Sequence, residues 1–200
     1  MSSIPYLSLP GRQLAVGENE SRNLFLYGPV NAAKCRSLCK KLLAFDAKET
    51  YEPITLHIQS PGGSLRQALH LVDVIKEMQT EVHTVVDGFA ASAATLISIS
   101  GTFGKRSMHH SSCMLIHEAS TDLPKGTSSQ IQIMNTNIQA AQRRVVQMYE
   151  AHTRLRGVAL EEELKRDLIL DASTCLAYGL VDCIIDSQHT PYFVEGDLLD

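Results

Sequence analysis

Residues 82–100 read Val-His-Thr-Val-Val-Asp-Gly-Phe-Ala-Ala-Ser-Ala-Ala-Thr-Leu-Ile-Ser-Ile-Ser. The β-branched run Val82 to Val86 predicts a strand, Asp87-Gly88 a break, and the small-residue stretch from Ser92 to about Ser100 a helix. The same alternation extends outward in both directions. Upstream, apolar residues at 65, 68, 69, 72, 75 and 78 give Leu65 to Met78 a helical period. Before it, Ile54 to Gln59 reads as a strand that Ser60-Pro61-Gly62-Gly63 ends sharply. Earlier still, Asn23 to Tyr27 is a strand stopped by Gly28-Pro29, and Ala32 to Phe45 a helix spaced on Leu38, Leu42 and Phe45. Downstream, Cys113 to Ile116 is a strand with His117 at its end. Strands and helices joined by short connections predict α/β layers around a largely parallel sheet.

The stretch from Ser128 to about Arg154 is helical but mostly polar, which suggests a projecting element that packs against another subunit. Asp171 is expected to cap a helix over Ala172 to Tyr178, with Gly179 just past its end and Leu180 to Ile185 closing the core. Residues 1–20, with two prolines and two glycines, read as a loose arm, and the tail 188–200 reads as surface. With no internal repeat or linker, 1–200 is expected to be one domain whose core spans 22–185 and includes a handle over 118–154.

The 200 residues are 44% hydrophobic and 20% charged, with a net charge of −4. The lack of a basic excess argues against a nucleic-acid partner. Five cysteines, none in a CxxC pair, predict reduced thiols. Cys35 and Cys39 lie four apart, but no nearby ligand set completes a metal site. The start has no apolar h-region, and the longest apolar run, near Ala90 to Ile99, is too short to span a bilayer. The expected location is cytoplasmic, or an organelle matrix if a transit peptide has been removed, with no secretion and no membrane partner.

Three strand ends carry chemistry, and the carboxyl ends of strands are where ligands gather in open α/β sheets. Ser60-Pro61-Gly62-Gly63-Ser64 suits either a tight turn or an anion-binding loop of bare backbone N–H groups. Ser92, among alanines at a strand-to-helix turn, is either a helix N-cap or an exposed nucleophile whose next N–H steadies an oxyanion. His117, closing an apolar strand, is either a satisfied structural histidine or a base.

Taken in order and spacing, these segments resemble the Clp proteolytic-subunit (ClpP) family. The resemblance runs through Ser60-Pro61-Gly62-Gly63, Gly88 to Ser92, Gly104-Lys105-Arg106 and Met114-Leu115-Ile116-His117. It continues in Arg166-Asp167, Ala172 and Tyr178-Gly179-Leu180-Val181-Asp182, and covers roughly Arg22 to Ile185. It implies an α/β fold of the ClpP/crotonase-like kind, a spiral of βαβ units with a projecting handle helix. It also implies a serine endopeptidase with Ser92 as nucleophile, His117 as base and Asp167 as orienting acid. The backbone N–H groups of Gly63 and Ala93 would form the oxyanion hole. The expected partners are peptide and protein substrates, copies of the chain or related subunits in heptameric rings stacked to a tetradecamer, and an AAA+ unfoldase. No cofactor is expected in this chain, ATP being used by the unfoldase.

The chain also departs from the family pattern, as a divergent member would. Thr55 and His57 stand where many relatives carry aromatics of the unfoldase-docking surface. Gln130 stands at the usual acidic partner of Arg166, Ala93 where Met is common, and the arm lacks the Tyr-Ser-Arg-Leu-Leu segment. Two further readings compete with an active peptidase: a non-catalytic ring subunit, and a crotonase-like acyl-CoA enzyme that would not need the Ser/His/Asp set.

Overall fold

The computed structural model describes residues 21–48, 50–118 and 126–185, together with the backbone of 192–193. The 1–20 arm, and residues 188–191 and 194–200 of the tail, lie outside the described residues.

Strand β1 (Asn23–Tyr27) alternates exposed and buried side chains, sending Leu24 and Leu26 into the core. Helix α1 (Ala32–Asp46) opens where Asn31 accepts a hydrogen bond from the Lys34 N–H, and it buries Cys35, Leu38, Cys39, Leu42 and Phe45 along one stripe. Strand β2 (Ile54–Ser60) and helix α2 (Leu65–Glu77, capped by Ser64) follow. Strand β3 (Val82–Ala91) leads directly into α3 (Ala93–Ile99), every residue of which is buried, as befits a helix apolar all round. After β4 (Arg106–His109) and β5 (Cys113–Leu115), the long α4 (Ser128–His152) is closed at its start by reciprocal hydrogen bonds between Thr127 and Gln130. Its buried residues, Val145, Met148 and Tyr149, all fall in its last two turns. Helix α5 (Gly157–Arg166), β6 (Ile169–Asp171), α6 (Ala172–Ala177), β7 (Cys183–Ile185) and β8 (Tyr192–Phe193) complete the order.

The main path of the sheet runs β1-β2-β3-β4-β7-β8, parallel from β1 to β7 and antiparallel between β7 and β8. β3 divides its partners. Thr84 to Val86 pairs with β4, whereas Phe89 to Ala91 pairs with β5, which in turn pairs antiparallel with β6. Between these halves the register against β2 jumps from Ile58↔Val86 to Ser60↔Ala90, so Asp87-Gly88-Phe89 forms a bulge.

That bulge corrects one expectation. Asp87-Gly88 does not end the strand; it re-aims it, and the strand continues to Ala91. β4 and α5 were not expected from the sequence, and α4 ends at His152, close to the expected end at about Arg154. Within the tail, the backbone of β8 extends the sheet beyond β7. Asp171 caps α6 through a 2.8 Å bond from the Thr174 N–H, and Gly179 follows its last turn at φ +70°.

Candidate active site

The chain enters the site through two strand ends. At the end of β2 the loop turns on Gly62 (φ +87°) and Gly63 (φ +141°). A Cβ at Gly62 would stand 2.5 Å from the Ala91 carbonyl oxygen and 2.8 Å from the Ser92 Cβ; one at Gly63 would meet the Val30 carbonyl oxygen at 2.5 Å. Only glycine fits this close approach. The loop is held against Val30 by bonds from the Val30 N–H to Gly62 O and from the Ser64 N–H to Val30 O, which pass over the Gly63 N–H.

At the end of β3, Ser92 has φ +55° and ψ −127°, a conformation rare for any residue but glycine. It stands at the N-cap position of α3, yet its side chain makes no capping bond. The helix-cap reading of this serine is therefore excluded, and its hydroxyl is not spent on the helix. Its backbone N–H donates to the Leu115 carbonyl at 2.8 Å, which ties the turn to β5 two residues before His117. Ala93 is the first residue of α3, so its N–H has no acceptor within the helix.

The encounter of His117 with Asp167 is fixed from both sides. Leu115 pairs with Ile169 across β5 and β6, and the Glu118 N–H donates to Leu164 O of α5 at 3.1 Å. Asp167 lies between those ties as the left-handed C-cap of α5, at φ +54°, a conformation that aspartate adopts more readily than most residues. Its carboxylate stands 3.6 Å from His117 Nδ1.

Gly63, Ser92, Ala93 and His117 line one recess of about 90 Å³, with Leu65, Leu96, Glu118, Val145 and Tyr149 as the other walls. Asp167 is not among its walls and reaches the recess through His117. Leu65, Leu96, Val145 and Tyr149 were not expected in the site from the sequence. For the last two a signal was present, because apolar residues cluster at 145, 146, 148 and 149 toward the end of a mostly polar helix. A more open recess of about 450 Å³ lies between α4 and α5 and shares Glu118 with the first.

The surroundings account for the other singled-out residues. Arg166 pairs with Glu163 within α5 at 2.7 Å, and Gln130 is engaged in the α4 capping box. His57 is stacked on Phe25 (centroids 5.0 Å apart) and contacts Asp87 through Nδ1 at 2.8 Å. Tyr27 donates to the same carboxylate at 2.7 Å. Burial alone would push the Asp87 carboxyl up, but the bonds from His57 and Tyr27 and the nearby His109 outweigh it and hold it below the ordinary range. Phe25 and Tyr27, both exposed, thus put aromatic surface beside His57 that the sequence analysis did not anticipate. All five cysteines are free. No helix among the described residues is long and apolar enough to cross a membrane.

Comparison with known proteins fits this geometry. The family model described as Clp protease matches residues 17–188. The ATP-dependent Clp protease proteolytic subunit of Lactococcus lactis subsp. lactis (strain IL1403) is 31% identical over 84% of this chain and 85% of its own. Subunit 3 of the same name from Synechococcus sp. (strain CC9605) is 33% identical over 92% of this chain and 94% of its own. Subunit 2 from Streptomyces coelicolor (strain ATCC BAA-471 / A3(2) / M145) is 30% identical over 84% and 78%. The family match and these relatives define the class as a serine-type peptidase of the ClpP/crotonase-like fold. The chain belongs to the Clp protease family.

Proposed function

We propose that Ser92 is the nucleophile, His117 its general base and Asp167 the acid that orients the imidazole, with the N–H groups of Gly63 and Ala93 as oxyanion donors. The observation that carries this reading is the recess itself, where an uncapped serine in a strained conformation shares walls with His117 and two unspent backbone donors. His117 Nδ1 is turned to Asp167, which leaves Nε2 for the serine. The Ser92 proton passes to Nε2 as Oγ attacks the scissile carbonyl carbon, and the oxygen charge that develops is held by the two N–H groups. His117 then protonates the departing amine. Water, deprotonated by His117, cleaves the acyl-enzyme and regenerates Ser92. The open recess between α4 and α5 gives an extended peptide room beside the reacting bond. Replacing Ser92 or His117 by Ala should each remove nearly all hydrolysis of a short fluorogenic peptide. A Ser92→Ala enzyme retaining a tenth or so of the rate would refute the assignment.

The wider setting belongs to the same proposal. Copies of the chain, or related subunits, form heptameric rings stacked into a tetradecamer that encloses the sites, and an AAA+ unfoldase spends ATP to feed in unfolded protein. The names of the relatives, which call them subunits of an ATP-dependent protease, support this. Unaided, the enzyme then cleaves short peptides and spares folded proteins. Thr55 and His57 themselves offer little apolar area to a docking loop, which is left with Phe25 and Tyr27 as the aromatic surface there, so an ordinary bacterial unfoldase should bind weakly. Efficient degradation of a tagged folded substrate by this subunit with such an unfoldase and ATP would contradict that.

A further inference from the structure

Behind the serine turn, two buried hydroxyls form a relay that the mechanism above does not use. Thr95, fully buried in the first turn of α3, gives the Ser92 carbonyl oxygen two hydrogen bonds, from its N–H at 3.0 Å and from Oγ1 at 2.6 Å. Thr95 Oγ1 also stands 2.5 Å from the hydroxyl of Tyr149, itself buried at the base of α4. A threonine hydroxyl has one proton. Because that proton goes to a carbonyl, which can only accept, the Tyr149 O–H is the donor to Thr95. The direction is thus fixed along the line from Tyr149 to Thr95 to the Ser92 carbonyl.

The Ser92 carbonyl and the Ala93 N–H share one rigid peptide plane and point in opposite directions. Clamping the oxygen therefore aims the N–H. We infer that Thr95 and Tyr149 are positioning residues for peptide-bond hydrolysis: they lock the Ser92–Ala93 peptide so that the Ala93 donor is already directed where the oxyanion forms. A donor fixed before reaction costs no reorganisation in the transition state, where its contribution is greatest. The relay also helps maintain a Ser92 conformation that an L-residue does not keep unaided. This inference rests on Ser92 as nucleophile and Ala93 as oxyanion donor.

The test uses Thr95→Val, Thr95→Ser and Tyr149→Phe in the full-length chain, with kcat and KM measured on a short peptide. The inhibition constant of a peptide boronate, which mimics the tetrahedral intermediate, is measured alongside. Thr95→Val should lower kcat by about tenfold or more and weaken the boronate by a similar factor, with KM within about twofold of the parent. Thr95→Ser should restore most of that loss, and Tyr149→Phe should give a smaller loss of the same kind. Tyr149→Phe removes a single oxygen and keeps the ring, so it tests the relay even where Thr95→Val does not fold. Parent-like kcat and boronate binding in folded Thr95→Val or Tyr149→Phe would overturn the inference, as would a Thr95→Ser enzyme no better than Thr95→Val. A parent enzyme not labelled at Ser92 by a fluorophosphonate would instead defeat the underlying assignment, so the two failures are distinct.

Discussion

The carboxylate of Asp167 faces Nδ1 of His117 at 3.6 Å, on a residue held in left-handed backbone conformation between α5 and β6. Asp171, four residues on, has a sufficient structural task instead. Its carboxylate is held below the ordinary pKa range by the Thr174 side chain first, then by bonds from the Thr174 N–H and the Ser173 hydroxyl. Asp167→Asn should give a folded enzyme slowed by roughly 10³–10⁴-fold, as an orienting acid requires. Asp171→Ala should lower the melting temperature and leave turnover largely intact. Paired melting and activity assays check both, and the opposite pattern would exchange the two assignments.

A second prediction concerns Arg106, buried under α4. Its Nε and Nη2 reach Asp182 at 2.9 and 2.5 Å, and its Nη1 donates to the His152 carbonyl at 2.5 Å. Asp182→Ala would leave that guanidinium buried without its counter-charge, at a cost of about 3–5 kcal/mol. The melting temperature should fall by roughly 6–20 °C for a chain of this size. An apolar pair in place of both residues should recover much of the loss. A melting temperature unchanged by Asp182→Ala would show that the pair is dispensable.

The pH response of stability should carry a contribution from His152. Burial pushes the His152 pKa down, helped by the nearby charges of Lys76 and Arg106, while its bond to the Met148 carbonyl opposes the shift. A folded pKa below the unfolded value of about 6.5 means that the unfolded chain takes up the proton first. The stabilisation is therefore complete above about pH 6.5 and is lost as pH falls toward the folded pKa. His152→Gln should lose more stability relative to the parent at pH 7.5 than at lower pH. Parallel melting curves across that range would count against a neutral His152 in the folded state.

Much of this arrangement was legible before any coordinates. The glycine pair, the serine turn and the histidine lie at strand ends in sequences where periodicity and breakers are sharp, and the cap at Asp171 follows from local chemistry alone. What could not be read depended on tertiary contact. β4, four residues long with Arg106 and Ser107 buried in it, has no strand-like alternation, and it becomes a strand by pairing with β3 and β7. The bulge at Asp87-Gly88 looks like a strand end locally, because only the shifted register against β2 distinguishes a kink from a stop. The role of Tyr149 was not legible, since its hydroxyl partner Thr95 is 54 residues away in the chain.

The exposed length of α4 leads to a fourth prediction. From Ser128 to Arg144 none of its residues is buried, and Ile133 is 63% exposed. A helix of this length with one packed end needs a neighbour to cover the rest. Native mass measurement at micromolar concentration should find a ring-based oligomer. A monomer of 22 kDa alone would defeat this expectation.

The nucleophile assignment is tested most directly by fluorophosphonate labelling followed by peptide mapping. The account predicts a single phosphonylated serine, Ser92, with labelling nearly abolished in His117→Ala. Label on another serine, or undiminished labelling of Ser92 without His117, would contradict it.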